Sequence, residues 1–298
     1  MKVSIVTPCY NAVATIEETI RSVLDQEGVD LEYIVCDGGS TDGTADIIRR
    51  YESRLAWWVS ERDRGQVDAI NQGFARATGD VLGFLNGDDA LTPGALNRVC
   101  AAFAAEPNAD LVHGGVEWID FEGRPLGTHL GDIRCLEDAL DIFRVWWGNR
   151  QWVQPEVFYR RALKERVGDF DERYHLAFDY DFWVRCFRAG ARVTRIPDTL
   201  VRFRRHDSQK SVDATRANDE IRAILAKHLA ERPEIGSWTW LRLRAELAYD
   251  LYQSGNGPRP SFASALLQHP SWLLSAPVRR RLAGFILRSG DTPVAIGR

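Results

Sequence analysis

Strand-like and helix-like stretches alternate through the first 90 residues, and that alternation constrains the fold more tightly than any other feature of the chain. Apolar, often β-branched runs at 3–7, 31–36, 56–60 and 81–85 read as short strands, the last suited to burial on both faces. Between them, 13–26, 44–51 and 66–77 carry helical spacing. In the first, Val13, Ile16, Ile20, Val23 and Leu24 recur on one face, with Glu17 and Glu18 in its first half. This order predicts a parallel α/β sheet with right-handed crossovers. Ligands of such sheets sit beyond the carboxyl ends of the strands. Polar clusters at 7–11, 37–44, 61–68 and 86–89 all fall at such ends, and four clusters on one edge say more than any one of them.

The last cluster is the most pointed. The run Val81-Leu82-Gly83-Phe84-Leu85 stops at Asn86-Gly87-Asp88-Asp89. Two adjacent acids repel each other, and a divalent cation would relieve that repulsion. The plain alternative is an acidic turn before a helix at 93–105, with Thr92 as its N-cap and Pro93 at its first position. Asp37, at the end of the second run, suits a hydrogen bond to a nucleoside or a turn cap. Gly38-Gly39-Ser40 can turn through positive φ, but neither a Gly-x-Gly-x-x-Gly nor a Walker-type loop occurs.

Further along, strands are predicted at 109–116, 117–121, 156–159, 192–196 and 200–204, with a turn at Glu122-Gly123. Helices are predicted at 161–167, over Phe178–Cys186 and at 212–230. Asp179 and Asp181 stand at the start of the second of these, where acids complement the helix dipole or serve as a base. Trp146, Trp147 and Trp152 cluster near Gly148-Asn149; Trp152, with Gln154, is the candidate acceptor contact, since aromatic rings stack on sugar faces. His206 lies in a basic segment at 204–211 and could complete a metal site or contact a diphosphate. Beyond 232 the helical patterns are short, broken by Gly255-Asn256-Gly257-Pro258, Pro270 and Pro277.

Composition narrows the class. No apolar run approaches the roughly 18 residues of a membrane span. The apolar start is too short for a signal peptide. The five cysteines are scattered without a Cys-x-x-Cys pair, which favours free thiols in a reducing cytoplasm over disulfides or zinc. The net charge of −4 hides an asymmetry: 11 Lys/Arg against 5 Asp/Glu from residue 221 onward, 27 against 37 before it. An acidic body argues against nucleic acid as a partner, while the basic tail allows contact with an anionic surface.

Together these segments resemble the family 2 glycosyltransferases of the GT-A fold, particularly bacterial members that build cell-surface polysaccharides. The resemblance rests on Val-Ser-Ile-Val-Thr-Pro-Cys-Tyr-Asn at 3–11, Asp-Gly-Gly-Ser-Thr-Asp-Gly-Thr at 37–44 and the segment 60–73. It continues with Ala-Thr-Gly-Asp at 77–80, Leu-Asn-Gly-Asp-Asp at 85–89 and Asp-Tyr-Asp-Phe-Trp-Val-Arg at 179–185. It implies a GT-A domain over 1–210, with a donor half at 1–90 and an acceptor half at 91–210, followed by a helical extension at 211–298. The fold implied is a mostly parallel, Rossmann-like sheet flanked by helices. By resemblance, Pro8, Tyr10, Asp37, Gly39 and Asp63 line a nucleotide pocket and Asp88 lies beside the ribose. Asp89 holds Mn²⁺ or Mg²⁺, with His206 as a further ligand. Asp68 and Asn71 lie near the donor sugar. Asp179 aligns with the family's catalytic base, with Asp181 as the alternative because Phe178 stands where the family has Glu.

The activity implied is inverting transfer of a sugar from a nucleotide-diphospho-sugar, UDP by family habit, to a hydroxyl of a glycan or lipid-linked acceptor. The Gln-x-x-Arg-Trp signature of processive synthases is absent, which implies addition of one sugar. A sugar nucleotidyltransferase would show an early basic, glycine-rich loop, and residues 7–15 hold no Gly, Lys or Arg. A non-catalytic nucleotide-sugar or glycan-binding protein would not need the acids at 88, 89 and 179. The tail, with Trp238, Trp240, Leu241, Leu243, Trp272, Leu273, Leu274 and Arg279-Arg280-Arg281, is expected either to cap the domain, to form a homodimer contact, or to lie on the inner face of a membrane.

Overall fold

The computed structural model describes residues 1–206, 209–210, 213–232, 234–254 and 262–289. It divides into two units, Met1–Ile221 and Arg222–Arg298. In the first, β1 (Lys2–Cys9), β2 (Asp30–Asp37), β3 (Trp57–Ser60) and β4 (Val81–Phe84) alternate with α1 (Ile16–Leu24), α2 (Thr44–Arg50) and α3 (Gln66–Phe74). β1 is central. It pairs in parallel with β2, from Lys2↔Asp30 to Cys9↔Asp37, and with β4, from Val3↔Val81 to Val6↔Phe84. The chain leaves β1 toward β2 on one side and returns to β4 on the other, so a crevice opens at the carboxyl ends between them.

Past β4 the parallel order ends. There follow β5 (Ala90–Leu91), α4 (Ala95–Ala105), β6 (Leu111–Ile119), β7 (Pro125–Leu130), α5 (Leu136–Leu140), β8 (Val157–Arg160), α6 (Arg161–Val167), α7 (Phe178–Arg188) and β9 (Val193–Arg204). The sheet order is β3-β2-β1-β4-β8-β6-β9-β5, with β7 also on β6. β8 is antiparallel to β4 and β6, β7 to β6, and β5 to β9; β6 and β9 are parallel. The sheet is therefore parallel in its first half and mixed in its second.

Several local expectations change. The two strands expected over 109–121 are one, β6, and the turn at Glu122-Gly123 leads into β7, whose mostly exposed residues carry no strand alternation. β9 likewise runs unbroken where two strands were expected, with its register to β6 shifting around Gly115. A Cβ on Gly114 would come within 2.6 Å of the Asp198 carbonyl, so glycine allows the close approach there. Thr92 does not cap α4, which starts at Ala95 after Gly94; its hydroxyl donates to the Thr199 carbonyl at 2.8 Å and ties β5 to β9.

The two faces of β1 meet different partners. Val3 and Ile5 pack with Ile16, Ile20 and Val23 of α1 and with Leu96, Val99 and Phe103 of α4. Val6 faces α3, so closely that a Cβ on Gly73 would lie 2.4 Å from Val6 Cγ1. Beside it is an aromatic cluster: Phe170 has ring-centroid distances of 4.3 Å to Phe182 and 6.2 Å to Phe74, and Phe84 lies 6.1 Å from Phe178. That last contact docks the start of α7 on the end of β4.

α8 (Ala214–Ala230) begins in the first unit, so the division falls later than the expected residue 210. Glu220, in the first half of this helix, binds the backbone of residues 175–177. The second unit contains the rest of α8, α9 (Ser237–Ser254), α10 (Phe262–Gln268) and α11 (Ala276–Ser289). Tyr249, Ala265, Trp272 and Val278 form its core, and Arg222 pairs with Asp250 at 2.6 Å. Of the apolar tail residues, Leu243 and Trp272 are buried, whereas Trp238, Leu241 and Leu273 are exposed. Pro277 sits in the first turn of α11, where its missing N–H is no loss. The break expected at Gly255–Pro258 and parts of the basic segment at 204–211 lie outside the described residues. No helix among the described residues is long and apolar enough to cross a membrane.

Candidate active site

The crevice is walled on the β1–β2 side by two interlaced loops. Asn11, in the left-handed region at φ 49°, donates its N–H to Ser40 Oγ at 2.7 Å and accepts from Thr41 N–H at 3.0 Å. Ala12 N–H donates to Thr44 Oγ1 at 2.8 Å. Asp37 is the brace beneath them. It is 1% exposed and accepts from Ser40 N–H at 3.0 Å, Ser60 Oγ at 2.6 Å and the Ser40 hydroxyl. The carboxylate expected to face a nucleoside thus braces its own loop, serving as acceptor for Ser40 and Ser60. Gly38 and Gly39 bring the loop against the 61–63 segment: a Cβ at Gly38 would meet Asp63 Oδ2 at 2.9 Å, and Gly39 has φ 81°. Asp63, half-buried, accepts from Gly65 N–H at 2.8 Å. Pro8 is buried in β1, and Tyr10 stands at the rim, 64% exposed.

At the end of β4 the two acids diverge. Asp89 is 1% exposed; it accepts from Arg204 N–H at 3.0 Å and Asn86 Nδ2 at 3.2 Å. Burial, then the neighbouring Asp88 charge, push its carboxyl well above the usual range. It ties the turn to β9 from a buried position. Asp88 is the accessible one, with Oδ2 at 3.1 Å from His206 Nε2. Arg204 fixes this corner through Nε to the Asp88 carbonyl at 2.9 Å and Nη1 to the Phe121 carbonyl at 2.6 Å. A Cβ on Gly87 would strike Cys9 Cβ at 2.7 Å, so the turn can lie against β1 only with glycine there. Among the described residues no three His, Cys, Asp or Glu side chains gather to hold a metal. One carboxylate and one imidazole on a single edge nevertheless fit a divalent ion that takes its remaining ligands from substrate oxygens and water, Mn²⁺ more readily than Mg²⁺ because of the nitrogen donor.

α3 forms the next wall. Asp68 accepts from Arg64 Nη2 at 2.8 Å and from Gln72 Nε2 at 3.0 Å, and the Arg64 bond holds its carboxyl below the usual range. Arg64 also reaches Glu172 at 3.0 Å. Asn71 is spent elsewhere than at a donor sugar: Nδ2 donates to the Phe170 carbonyl and Oδ1 accepts from Phe170 N–H, at 2.9 and 3.1 Å. It buttons α3 to the segment before α7. Gln66 Nε2 donates to Asn86 Oδ1 at 2.7 Å, and Lys210 Nζ reaches both Gln66 Oε1 at 3.4 Å and the His175 carbonyl at 3.1 Å. Lys210 therefore links the β4 end to the approach of α7.

On α7 the two candidate acids also separate. Asp181 is 0% exposed and ion-paired to Arg185 Nε at 2.7 Å, which marks it as structural. Asp179 is half-buried, its Oδ1 accepting from Tyr180 N–H at 2.8 Å. Burial pushes its carboxyl up to about 6 against the help of that N–H, with Glu220 pushing the same way. Trp152 does not reach a surface: it is 2% exposed and packs on His113, Trp183 and Phe187, so large aromatic area has gone into the core. Gln154 lies nearer the crevice, Nε2 donating to the Phe84 carbonyl at 3.0 Å, with Oε1 buried and unpartnered.

The comparisons with known proteins bear on this arrangement. Residues 4–171 match the family described as Glycosyl transferase family 2. This chain belongs to glycosyltransferase family 2. A Mycobacterium bovis relative, "PGL/p-HBAD biosynthesis glycosyltransferase", is 34% identical over 202 residues, covering 66% of this chain and 74% of that one. The Myxococcus xanthus "O-antigen biosynthesis protein RfbC" is 28% identical over 240 residues, 78% of this chain and 18% of that one. The family is therefore one represented in cell-surface glycan biosynthesis. Among solved structures, S. aureus TarS 1–349 in complex with UDP-GlcNAc matches with a TM-score of 0.64 at 19% identity, over 86% of this chain and 74% of that one. The mannosyltransferase PcManGT from Pyrobaculum calidifontis, in complex with GDP-Man and Mn²⁺, matches at 0.57 and 21%, over 93% and 82%. The fold of this glycosyltransferase is GT-A.

Residues that the sequence reading left without a role are Arg64, Gln66, Lys210 and Glu220. Arg64 and Gln66 lie inside a quoted motif, and Lys210 in the noted basic segment. Glu220 gives no local signal, being one acid among many on a helix.

Proposed function

We propose that this glycosyltransferase moves a sugar, with inversion and one unit at a time, from a nucleotide-diphospho-sugar to a hydroxyl of a glycan or lipid-linked acceptor in cell-surface polysaccharide assembly. The observation that carries the reading is Asp179: a half-buried carboxylate at the start of α7, docked on the end of β4, with its proton affinity raised to about 6. A carboxylate so placed is a base suited to near-neutral pH. It takes the acceptor hydroxyl proton as the oxygen bonds to the anomeric carbon, the bond from that carbon to the diphosphate oxygen breaks, and nucleoside diphosphate leaves from the opposite face. Such a single displacement inverts the anomeric centre.

The nucleoside, uridine by family habit, lies along Pro8, Tyr10, Gly39 and Asp63, on a loop held in shape by Asp37. Asp88 and His206 would hold Mn²⁺ or Mg²⁺, and the ion would supply Lewis-acid neutralisation of the leaving group. Asp89 keeps Asp88 in place from below. Asp68 aims the Arg64 guanidinium toward the donor, and Lys210 adds a second positive charge. Gln154, bonded to the Phe84 carbonyl at the end of β4, lies on the acceptor side. The exposed Trp238 and Leu241 of the basic second unit favour residence at the inner face of a membrane, or contact with a second copy.

The test is Asp179→Asn. Turnover is expected to fall by about 100-fold or more, with the dissociation constant for donor unchanged by calorimetry. The same variant is expected to be more stable at pH 7.5 by about 1 kcal/mol. The sign follows from the raised folded-state value: above about 6 the folded protein carries a charge that the unfolded chain solvates better. Undiminished turnover would remove Asp179 from the role.

A further inference from the structure

α7 has an unusual beginning. Its N-cap residue is Ala177, whose methyl group can accept nothing, and within the first turn Asp179 Oδ1 takes the Tyr180 N–H. The N–H groups entering a helix need acceptors, and they carry the positive end of its dipole. Just ahead of this helix, the backbone finds its acceptor on another helix 40 and more residues away. One carboxylate oxygen of Glu220, Oε2, accepts from His175 N–H at 2.9 Å, Leu176 N–H at 2.7 Å and Ala177 N–H at 3.0 Å. Three successive backbone donors round one anion form a nest. The other oxygen, Oε1, lies 3.7 Å from Arg216 Nε one turn earlier on α8, and the side chain is largely buried.

We propose that Glu220 is a positioning residue for Asp179: from α8 it fixes the backbone entering α7 and sets a negative charge beside the base. The proposal rests on Asp179 being that base. Two effects follow from the geometry. First, residues 175–177 precede Asp179 directly, so anchoring them fixes where its carboxylate starts. Second, the Glu220 carboxylate sets a like charge beside the ionised base. The like charge makes Asp179 hold its proton more strongly, hence a better base. The other charges round this point are already paired or point the opposite way. On α7, Asp181 is bound to Arg185; from the α5 side Asp141 is bound to Arg144; on the segment before α7, Asp171 is bound to Arg173. Lys210, ahead of α8, contributes a positive charge that Glu220 partly offsets.

The experiment uses the full chain and three variants, Glu220→Gln, Glu220→Asp and Glu220→Ala. The Asp179 carboxyl is titrated by carbon NMR, its signal assigned by difference from Asp179→Asn, and kcat is followed against pH with the preferred donor. Glu220→Gln keeps an oxygen for the N–H groups and removes the charge. The Asp179 midpoint is expected to fall by roughly half a unit to one unit, with the acidic limb of kcat following it down and donor KM holding. Glu220→Asp keeps the charge and shortens the reach, so the midpoint is expected to stay while kcat falls about tenfold through misplacement. Glu220→Ala should show both losses. A midpoint that stays put in Glu220→Gln, in a variant melting like the parent, overturns the proposal. So does a rise in donor KM at constant kcat in Glu220→Asp. If the midpoint moves but Asp179→Asn turns over normally, Asp179 is not the base, while its electrostatic coupling to Glu220 stands.

Discussion

Asp88 and Asp89 are neighbours in sequence with nearly opposite surroundings. Asp89 is sealed in by Arg204 N–H and Asn86, while Asp88 meets His206 at the crevice. The two side chains diverge from the turn, and of the pair Asp88 is the more exposed. Replacing Asp88 by Asn is expected to abolish the tightening of nucleoside-diphosphate binding by Mn²⁺, seen in paired titrations with and without the metal. Replacing Asp89 by Ala should instead lower stability by about 1–3 kcal/mol, since it strands the Arg204 N–H in a dry place. The reverse pattern, with metal dependence surviving in the Asp88 variant and lost in a stably folded Asp89 variant, would restore Asp89 as the ligand.

At the scale of elements, the site exists because helices approach the sheet closely enough to aim loops. α3 lies on β1 with Gly73 over Val6, and Asn71 on the same helix clasps the backbone of Phe170. A methyl at 73 would have to push α3 away, and α3 carries Gln66 and Asp68 at its other end. Gly73→Ala is expected to cost about 1–3 kcal/mol of stability by thermal or urea melts. α7 is held in another way, by Phe178 on Phe84 at its start and by Asp181–Arg185 along its length. The expected helices and strands of the donor half are each found within a few residues, because buried strands and amphipathic helices write their burial into local periodicity. β7 escaped because it is an exposed edge hairpin, and the joined β9 because Pro197 and Asp198 sit in its middle.

At the scale of the whole first unit, one buried carboxylate gathers three chain segments. Glu32 of β2 accepts from Lys2 Nζ at 2.7 Å, Ser4 Oγ at 2.6 Å, Thr78 N–H at 2.6 Å and Thr78 Oγ1 at 2.7 Å. Burial alone would raise its proton affinity; these four donors outweigh burial and lower it to about 2 from 4.5. A depressed folded-state value means stability that is present above the unfolded value and lost as pH falls. The loss should run from about pH 4.5 to about 2 and amount to about 3 kcal/mol. Melting curves of the parent and Glu32→Gln, far apart at pH 6, are expected to converge near pH 2. A gap independent of pH would show that the contribution of Glu32 is packing rather than charge.

What the sequence determined by itself was the frame. Alternating strands and helices placed four polar clusters at one edge, and the motifs at 3–11, 37–44, 60–73 and 85–89 named the family. Both are carried by residues near one another along the chain, where periodicity and turn chemistry act. Only the tertiary structure decided which way side chains point and what meets them from afar. It turned Asp89 and Asp37 inward, buried Trp152 among aromatics, spent Asn71 on Phe170, and brought Glu220 to the door of α7. Partners such as Arg204, 115 residues from Asp89, are chosen by packing and by the need to satisfy buried polar groups, and neither leaves a local mark in the chain.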